Sequence, residues 1–499
     1  MSAGRELELE RVPTGVPGLD KVLQGGFLQG GVYIVEGAPG AGKTILANQI
    51  CFGHVVQGGA VVFVTLLAES HMRMIQHLRP MAFFDERVIP DRLYYVSGFG
   101  ILESDGLKGV VDLLRREIKG HEASMLVLDG FGTTEESAAS ERDFKKFVHD
   151  IQSHAAAADC TVMLLTNVSE RTVAPEYTMV DGVIRLEDVV LGPRAERSLQ
   201  VMKSRGSGAL RGRHQFRISD LGITVFPRIE AAYAAPSTLD EYKLQRVTIG
   251  VGSIDELLSG GLLAKTSNGV FGPTGAGKTT LGLHFVAAGT PAEPALFFGL
   301  YEHPERLRTK ARSMGIDLRA LEQRRALQII WRPQGEQLLD ELGNQIIDTV
   351  REGKMKRVFI DGFGGLMQSA SGPERITRYI SALGNELRAQ GVTVLLSMET
   401  RDVLGSSMQL PVDGMSSLLE GLLNMRYVEV RGELRRLIAI TKLRDSDFDA
   451  RLHEFRITAR GIEVGEPFRG LEAVLSGYAR KPRAAAKSAG RRRARKGEP

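Results

Sequence analysis

The sequence predicts an α/β protein of two tandem P-loop domains, each a mostly parallel sheet flanked by helices and carrying an antiparallel extension. Three observations lead there. The phosphate-gripping pattern Gly-x-x-x-x-Gly-Lys-Thr occurs twice, at Gly37–Thr44 and Gly272–Thr279, each time behind an apolar strand. Asp20, Gly25, Gly37 and Lys43 recur as Asp255, Gly260, Gly272 and Lys278, every pair 235 residues apart, inside the similar frames TGVPGLDKVLQGG and TIGVGSIDELLSGG. Between these landmarks near-continuous apolar segments alternate with helical patterns, the mark of parallel strands buried on both faces.

A chain of 499 residues exceeds what one hydrophobic core supports, and 43% hydrophobic with 25% charged residues is ordinary globular composition. We place the domains at 1–240 and 245–478, joined by a linker at Ala231–Ser237. The net charge of +4 is uneven: residues 480–499 hold nine Lys/Arg and one Glu, +8 in all, leaving −4 on the rest. The segment 479–499 reads as a disordered basic tail, the one part suited to nucleic acid. No apolar run reaches the ~18 residues of a membrane span and the start, MSAGRELELERV, has early acids instead of an apolar signal core, so the expected location is cytoplasmic, without a membrane partner. Cys51 and Cys160 are too few and too isolated for a disulfide framework and read as small buried hydrophobes.

Each unit opens with a strand, Gly31 to Glu36 in the first, that delivers the phosphate loop. In such a loop backbone N–H groups curl around phosphate oxygens and the following helix adds its positive end. The first cradle comprises Gly37, Ala38, Pro39, Gly40, Ala41, Gly42, Lys43 and Thr44. The second comprises Gly272, Thr274, Gly275, Ala276, Gly277, Lys278, Thr279 and Thr280. Lys43 and Lys278 are expected on the β and γ phosphates of ATP, Thr44 and Thr279 on Mg²⁺.

The next strands, Ala60 to Thr65 and Ala295 to Gly299, are followed by Glu69 and Glu302. These are candidates to orient or deprotonate an attacking nucleophile, a solvated loop glutamate being the plainer alternative. Strands Met125 to Asp129 and Arg357 to Asp361 end in an aspartate before glycine, which puts Asp129 and Asp361 at the carboxyl edge of the sheet as Mg²⁺ ligands. Thr166 and Ser397 end the strands after those and are candidates to sense the γ-phosphate. Last come Leu199 to Lys203 and Leu437 to Lys442, of antiparallel character. They carry a repeated cation pattern: Arg197, Lys203 and Arg205, then Arg436, Lys442 and Arg444. Lys and Arg two apart on a strand share a face. Their distance in sequence from their own loop suggests that they reach nucleotide in a neighbouring subunit.

With these residues in place the chain resembles the KaiC family of double-domain RecA-type ATPases across residues 10–478. The resemblance rests on the doubled TGVPGLD frame, both phosphate loops, MLVLDG and RVFIDG, Lys203–Gly206 and Tyr427–Glu433. It implies RecA-like folds, a homo-oligomer of stacked hexameric rings with ATP at subunit interfaces, weak hydrolysis in the first domain and Ser/Thr autokinase in the second. It also makes a KaiB-like or response-regulator-type protein the partner class to expect. Family phosphoacceptors fall on Ser416 and Ser417, although Ser417–Glu420 also fits a capping box before a helix. The family's usual glutamate pair is reduced here to one acid per domain, since Ala68 precedes Glu69 and His303 follows Glu302. Where the family offers the adenine an aromatic, this chain offers Met314. The tail resembles nothing in the family.

Two other classes share the fold. A DNA-acting motor would want a basic pore, against a folded body near −4. A nucleotide-gated scaffold would assemble on ATP with little catalysis, and the reduced glutamate pairs are compatible with it.

Overall fold

The structure, a computed structural model, describes residues 10–68, 71–168, 175–235, 245–400, 410–430 and 432–468. The chain divides into two compact units, Met1–Pro236 with Glu336–Gln345, and Ser237–Gly335 with Ile346–Pro499.

The first unit opens on a ribbon of β1 (Arg11–Val12) against β2 (Phe27–Leu28). The repeated TGVPGLD and Gly-Gly frame is explained here. Asp20 accepts hydrogen bonds from the Thr14 backbone N–H at 2.8 Å and the Thr14 hydroxyl at 2.7 Å. Gly26 has a φ of +106°, and a Cβ on it would lie 2.2 Å from the Val12 carbonyl oxygen, so only glycine closes the turn.

A nine-stranded sheet follows: β3 (Val32–Gly37), β4 (Val61–Thr65), β5 (Leu93–Ser97), β6 (Met125–Asp129), β7 (Thr161–Thr166), β8 (Gly182–Leu191), β9 (Arg194–Ser204), β10 (Arg213–Ser219) and β11 (Gly222–Phe226). Its order is β11-β10-β9-β8-β3-β7-β6-β4-β5. From β5 to β8 all neighbours are parallel, and β8 to β11 are antiparallel. Alternate residues serve opposite cores: Val61, Phe63, Met125 and Val127 pack on one face, Val62, Val64, Leu126 and Leu128 on the other. Burial on both faces is why these strands read as unbroken apolar runs.

The second unit repeats the plan. β12 (Arg246–Val247) pairs with β13 (Leu262–Leu263), and Asp255 accepts from the Ile249 backbone N–H at 2.7 Å as Asp20 does from Thr14. Its nine strands are β14 (Ser267–Gly272), β15 (Ala295–Gly299), β16 (Leu327–Trp331), β17 (Arg357–Asp361), β18 (Thr393–Glu399), β19 (Gly421–Val430), β20 (Glu433–Leu443), β21 (His453–Thr458) and β22 (Gly461–Pro467). Their order, β16-β15-β17-β18-β14-β19-β20-β21-β22, is the first sheet read from its other edge. The fold class and the antiparallel extension are as the sequence predicts. The proposed linker lies partly outside the described residues, and Ile229–Ala232 form a single helical turn.

Cys51 and Cys160 are both free and buried. Burial pushes the Cys160 thiol up to about 12. Thiol reagents at pH 8 are therefore expected to leave both unmodified in the native protein and to titrate two in denaturant; fast native labelling would contradict the buried placement. Among the described residues no helix is long and apolar enough to cross a membrane.

Candidate functional site

Both phosphate loops sit at the carboxyl edge of their sheet, between the central strand and a helix that starts on the lysine. These helices are Lys43–Val56 and Lys278–Ala287, capped by Gly42 at φ 102° and Gly277 at φ 116°. A side chain at either cap would be strained by the left-handed backbone, and a Cβ on Gly42 would also lie 2.8 Å from Ile218 Cδ1. The turns Ala41 N–H to Ala38 carbonyl, 3.1 Å, and Ala276 N–H to Pro273 carbonyl, 3.2 Å, fold each loop over. Ala38, Pro39 and Gly40 are exposed, as are Thr274 and Gly275. Thr280 is 2% exposed and lies in the first turn of its helix, where its N–H is one of those without an intrahelical partner.

Lys43 Nζ donates to the Gly37 carbonyl at 2.6 Å, the Ala38 carbonyl at 3.2 Å and Asn167 Oδ1 at 3.2 Å. Lys278 Nζ donates to the carbonyls of Gly272 at 2.7 Å and Pro273 at 2.8 Å. Burial lowers both ammonium pKa values, and nearby carboxylates, Asp129 for Lys43 and Glu399 then Asp361 for Lys278, oppose the shift. A half-desolvated ammonium held on carbonyls is prepared to exchange them for phosphate oxygens.

The magnesium ligands chosen from sequence come together. Thr44 Oγ1 lies 3.5 Å from Asp129 Oδ2, and Thr279 Oγ1 donates to Asp361 Oδ2 at 2.9 Å. Burial raises the Asp361 pKa against the hydroxyl bonds from Ser397 and Thr279. Among the described residues no three His, Cys, Asp or Glu cluster into a metal cage. One hydroxyl and one carboxylate fit Mg²⁺, a hard ion that completes its shell with water and phosphate.

Ser397 is only 3% exposed, donates to Asp361 Oδ1 at 2.6 Å and accepts from Gly362 N–H at 2.9 Å. Its hydroxyl is committed to Asp361, which corrects its reading as a γ-phosphate sensor. The register places Asp361 opposite Ser397 but Asp129 opposite Leu165, so Thr166 is not the equivalent residue. Glu302 lies within electrostatic reach of Asp361 and pairs with Lys310 at 3.6 Å. His303, where the family's second acid would stand, caps the helix Pro304–Arg312 by accepting from Glu305 N–H at 3.2 Å. Glu69 lies outside the described residues.

Met314 is another correction. It is 6% exposed in the core of the second unit and packs the interior, so it offers no adenine surface.

The cation pattern divides. Lys203 Nζ donates to the carbonyls of Tyr177 at 2.7 Å and Val180 at 2.7 Å, and Arg205 to that of Thr178 at 2.8 Å. Lys442 Nζ donates to the carbonyls of Ser416 and Leu419, and Arg444 to that of Ser417 at 2.9 Å. Arg197 instead pairs with Asp188 at 3.1 Å, and Arg436 stacks over Tyr427 at 5.5 Å. Six strand residues, about 20 Å, separate Arg197 from Lys203, so Arg197 stands apart from the Lys203 and Arg205 pair. A register shift between Val183 and Ile184 also falls between them.

The register settles which end each occupies. Gly182 lies opposite both Tyr33 and Ser204, so Lys203 and Arg205 sit at the amino edge of the sheet. Gly421 lies opposite both Asn268 and Leu443, which does the same for Lys442 and Arg444. Each phosphate loop starts four residues further along, about 13 Å away at the opposite edge. Ser416 and Ser417 lie on the turn Met415–Leu418 at that same amino edge. No helix follows Ser417: the chain turns extended at Leu419 and enters β19, and Glu420 binds Ser267 N–H at 2.9 Å and Arg388. The capping-box reading is thereby overturned.

The sequence profile of the family described as "ATPase: KaiC" matches residues 12–230 and 247–468. The chain belongs to the KaiC ATPase family. Among its relatives are the circadian clock oscillator protein KaiC of Thermostichus vulcanus, 27% identical over 94% of this chain and 92% of the relative. That of Synechococcus elongatus is 25% identical over 94% and 92%. The circadian clock protein KaiC3 of a Synechocystis strain is 26% identical over 94% of both chains. Membership makes the protein an ATP-binding ATPase.

Three residues beside the loops escaped the sequence reading: Asn167, Glu399 and Tyr427, whose hydroxyl would lie 3.1 Å from a Cβ on Gly275. Only the repeat register, which puts Asn167 and Glu399 two places beyond Leu165 and Ser397, could have pointed to the first two.

Proposed function

We propose that this KaiC-family ATPase is a Mg²⁺-dependent, autophosphorylating hexameric ring acting as a signalling or timing switch. Hydrolysis and transfer occur where the loop of one subunit meets the amino-edge cations of the next. The observation that carries this reading is the position of Ser416 and Ser417: beside Lys442 and Arg444, at the sheet edge opposite their own loop. A hydroxyl there receives phosphate only from another subunit's ATP.

In that transfer Ser417 or Ser416 attacks the γ-phosphorus, the bond to the β-γ bridging oxygen breaks, and ADP leaves. Glu302 takes the hydroxyl proton, while Lys442 and Arg444 neutralise charge on the transferring group. Mg²⁺, held by Thr279 and Asp361, supplies charge neutralisation when bound. In the first unit Lys203 and Arg205 take the cation role, water is the nucleophile and Glu69 the acid that orients it. The domains divide at 1–240 and 245–478, and the location proposed is cytoplasmic, with a KaiB-like or response-regulator-type protein reading the ring.

Incubation with γ-labelled ATP and Mg²⁺ should place label on Ser416 or Ser417, and a Ser416→Ala/Ser417→Ala chain should take up none. Wild-type protein that hydrolyses ATP yet stays unlabelled would leave a nucleotide-gated ATPase scaffold in its place.

A further inference from the structure

The two ATP sites differ at one position beside the lysine. β18 ends on Glu399, opposite Gly272 of the loop strand, and the following Thr400 N–H bonds the Gly272 carbonyl at 3.2 Å. The Glu399 carboxylate accepts the hydroxyl of Thr274, in the middle of the loop, and acts on Lys278 more strongly than Asp361 does. In the first unit β7 pairs with β3 through Thr166 and Glu36, so the residue opposite Gly37 is Asn167. Its neutral amide oxygen accepts from Lys43.

We infer that Glu399 sets the second site's preference between nucleoside triphosphate and diphosphate. Its fixed negative charge stands beside the ammonium that meets the β and γ phosphates, and the γ-phosphate adds the charge it opposes. A diphosphate, lacking that group, is opposed less. The first site, with an amide there, lacks this discrimination, so at equal nucleotide levels the second ring empties of ATP sooner as ADP accumulates. The effect requires no movement. It follows from Coulomb repulsion beside a partly desolvated lysine, on the order of tenfold in affinity.

The inference rests on both loops binding ATP, and the test separates the two failures. The full chain in Mg²⁺ is photo-crosslinked with azido-ATP, and displacement by ATPγS and by ADP is scored on the peptides of each unit. Failure of wild-type protein to crosslink at the second unit would strike the binding reading itself. Given crosslinking, Glu399→Gln and Glu399→Ala should both tighten ATPγS at the second site about tenfold, with ADP changing less than about threefold. Asn167→Glu should weaken ATPγS selectively at the first site. Equal shifts for the two nucleotides, or a neutral Gln variant beside a weakened Ala variant, would show that Glu399 only braces Thr274 and would overturn the inference.

Discussion

Arg205→Ala should lower ATP turnover in the first unit by about 10³-fold, the scale of a lost arginine finger, while the affinity for ATP changes little. The expectation is severe because this arginine lies about 13 Å along the sheet from its own phosphate loop. In an isolated subunit its guanidinium binds the Thr178 carbonyl at 2.8 Å and the Met179 carbonyl at 3.5 Å and stands 3.9 Å from Asp181. A half-exposed group with such contacts stabilises the fold by about 1 kcal/mol or less, far short of a thousandfold in rate. Only service to a neighbour's ATP would produce the larger effect. Lys203→Ala is the less clean variant, since it strips a donor from three backbone carbonyls at once. Mixing decides the matter: equal amounts of Arg205→Ala and Lys43→Ala chains should recover roughly a quarter of wild-type turnover, because random assembly places a sound loop against a sound arginine at that share of interfaces. Phosphate release that stays at the level of the separate variants would rule out action between subunits.

Loss of the loop lysines should be comparably severe but divided by ring. Lys278→Ala is expected to abolish incorporation of label at Ser416 and Ser417, a drop of at least about 10²-fold, and to spare the first unit's hydrolysis. Lys43→Ala should remove that hydrolysis and also weaken ATP-driven assembly more than Lys278→Ala does. The physical reason is that each lysine exchanges internal carbonyls for phosphate oxygens, so its removal leaves polyphosphate charge unmatched in a partly desolvated loop. Mass photometry at graded ATP, alongside phosphate release, reads both effects. Equal loss of assembly in the two variants would show that neither ring is the structural one.

How far the sequence reached depended on the kind of information each residue carries. Asp129 and Asp361 were legible because an apolar strand ending in Asp-Gly states both the element and the edge on which the carboxylate falls. Thr44 and Thr279 followed from the loop's fixed spacing. Arg197 proved to stand apart from Lys203 and Arg205, since six strand residues and a register shift lie between, and hydropathy carries no trace of the shift after Val183. Met314 looked available to a ligand, yet it packs against the second unit's core. Ser397 looked like a sensor, but it faces a buried aspartate that needs its hydroxyl.

By itself the sequence determined the doubling, the parallel sheets, the two loops and the acids that accompany them, since these rest on periodicity and spacing along one chain. The tertiary structure alone decided which residues meet across strands. It put Glu399 beside one loop and Asn167 beside the other, and it sent Lys442, Arg444 and both serines to the edge away from their own loop. The physical reason is that strand register, a property of hydrogen-bonded pairs rather than of single segments, fixes the end of the sheet at which a side chain emerges.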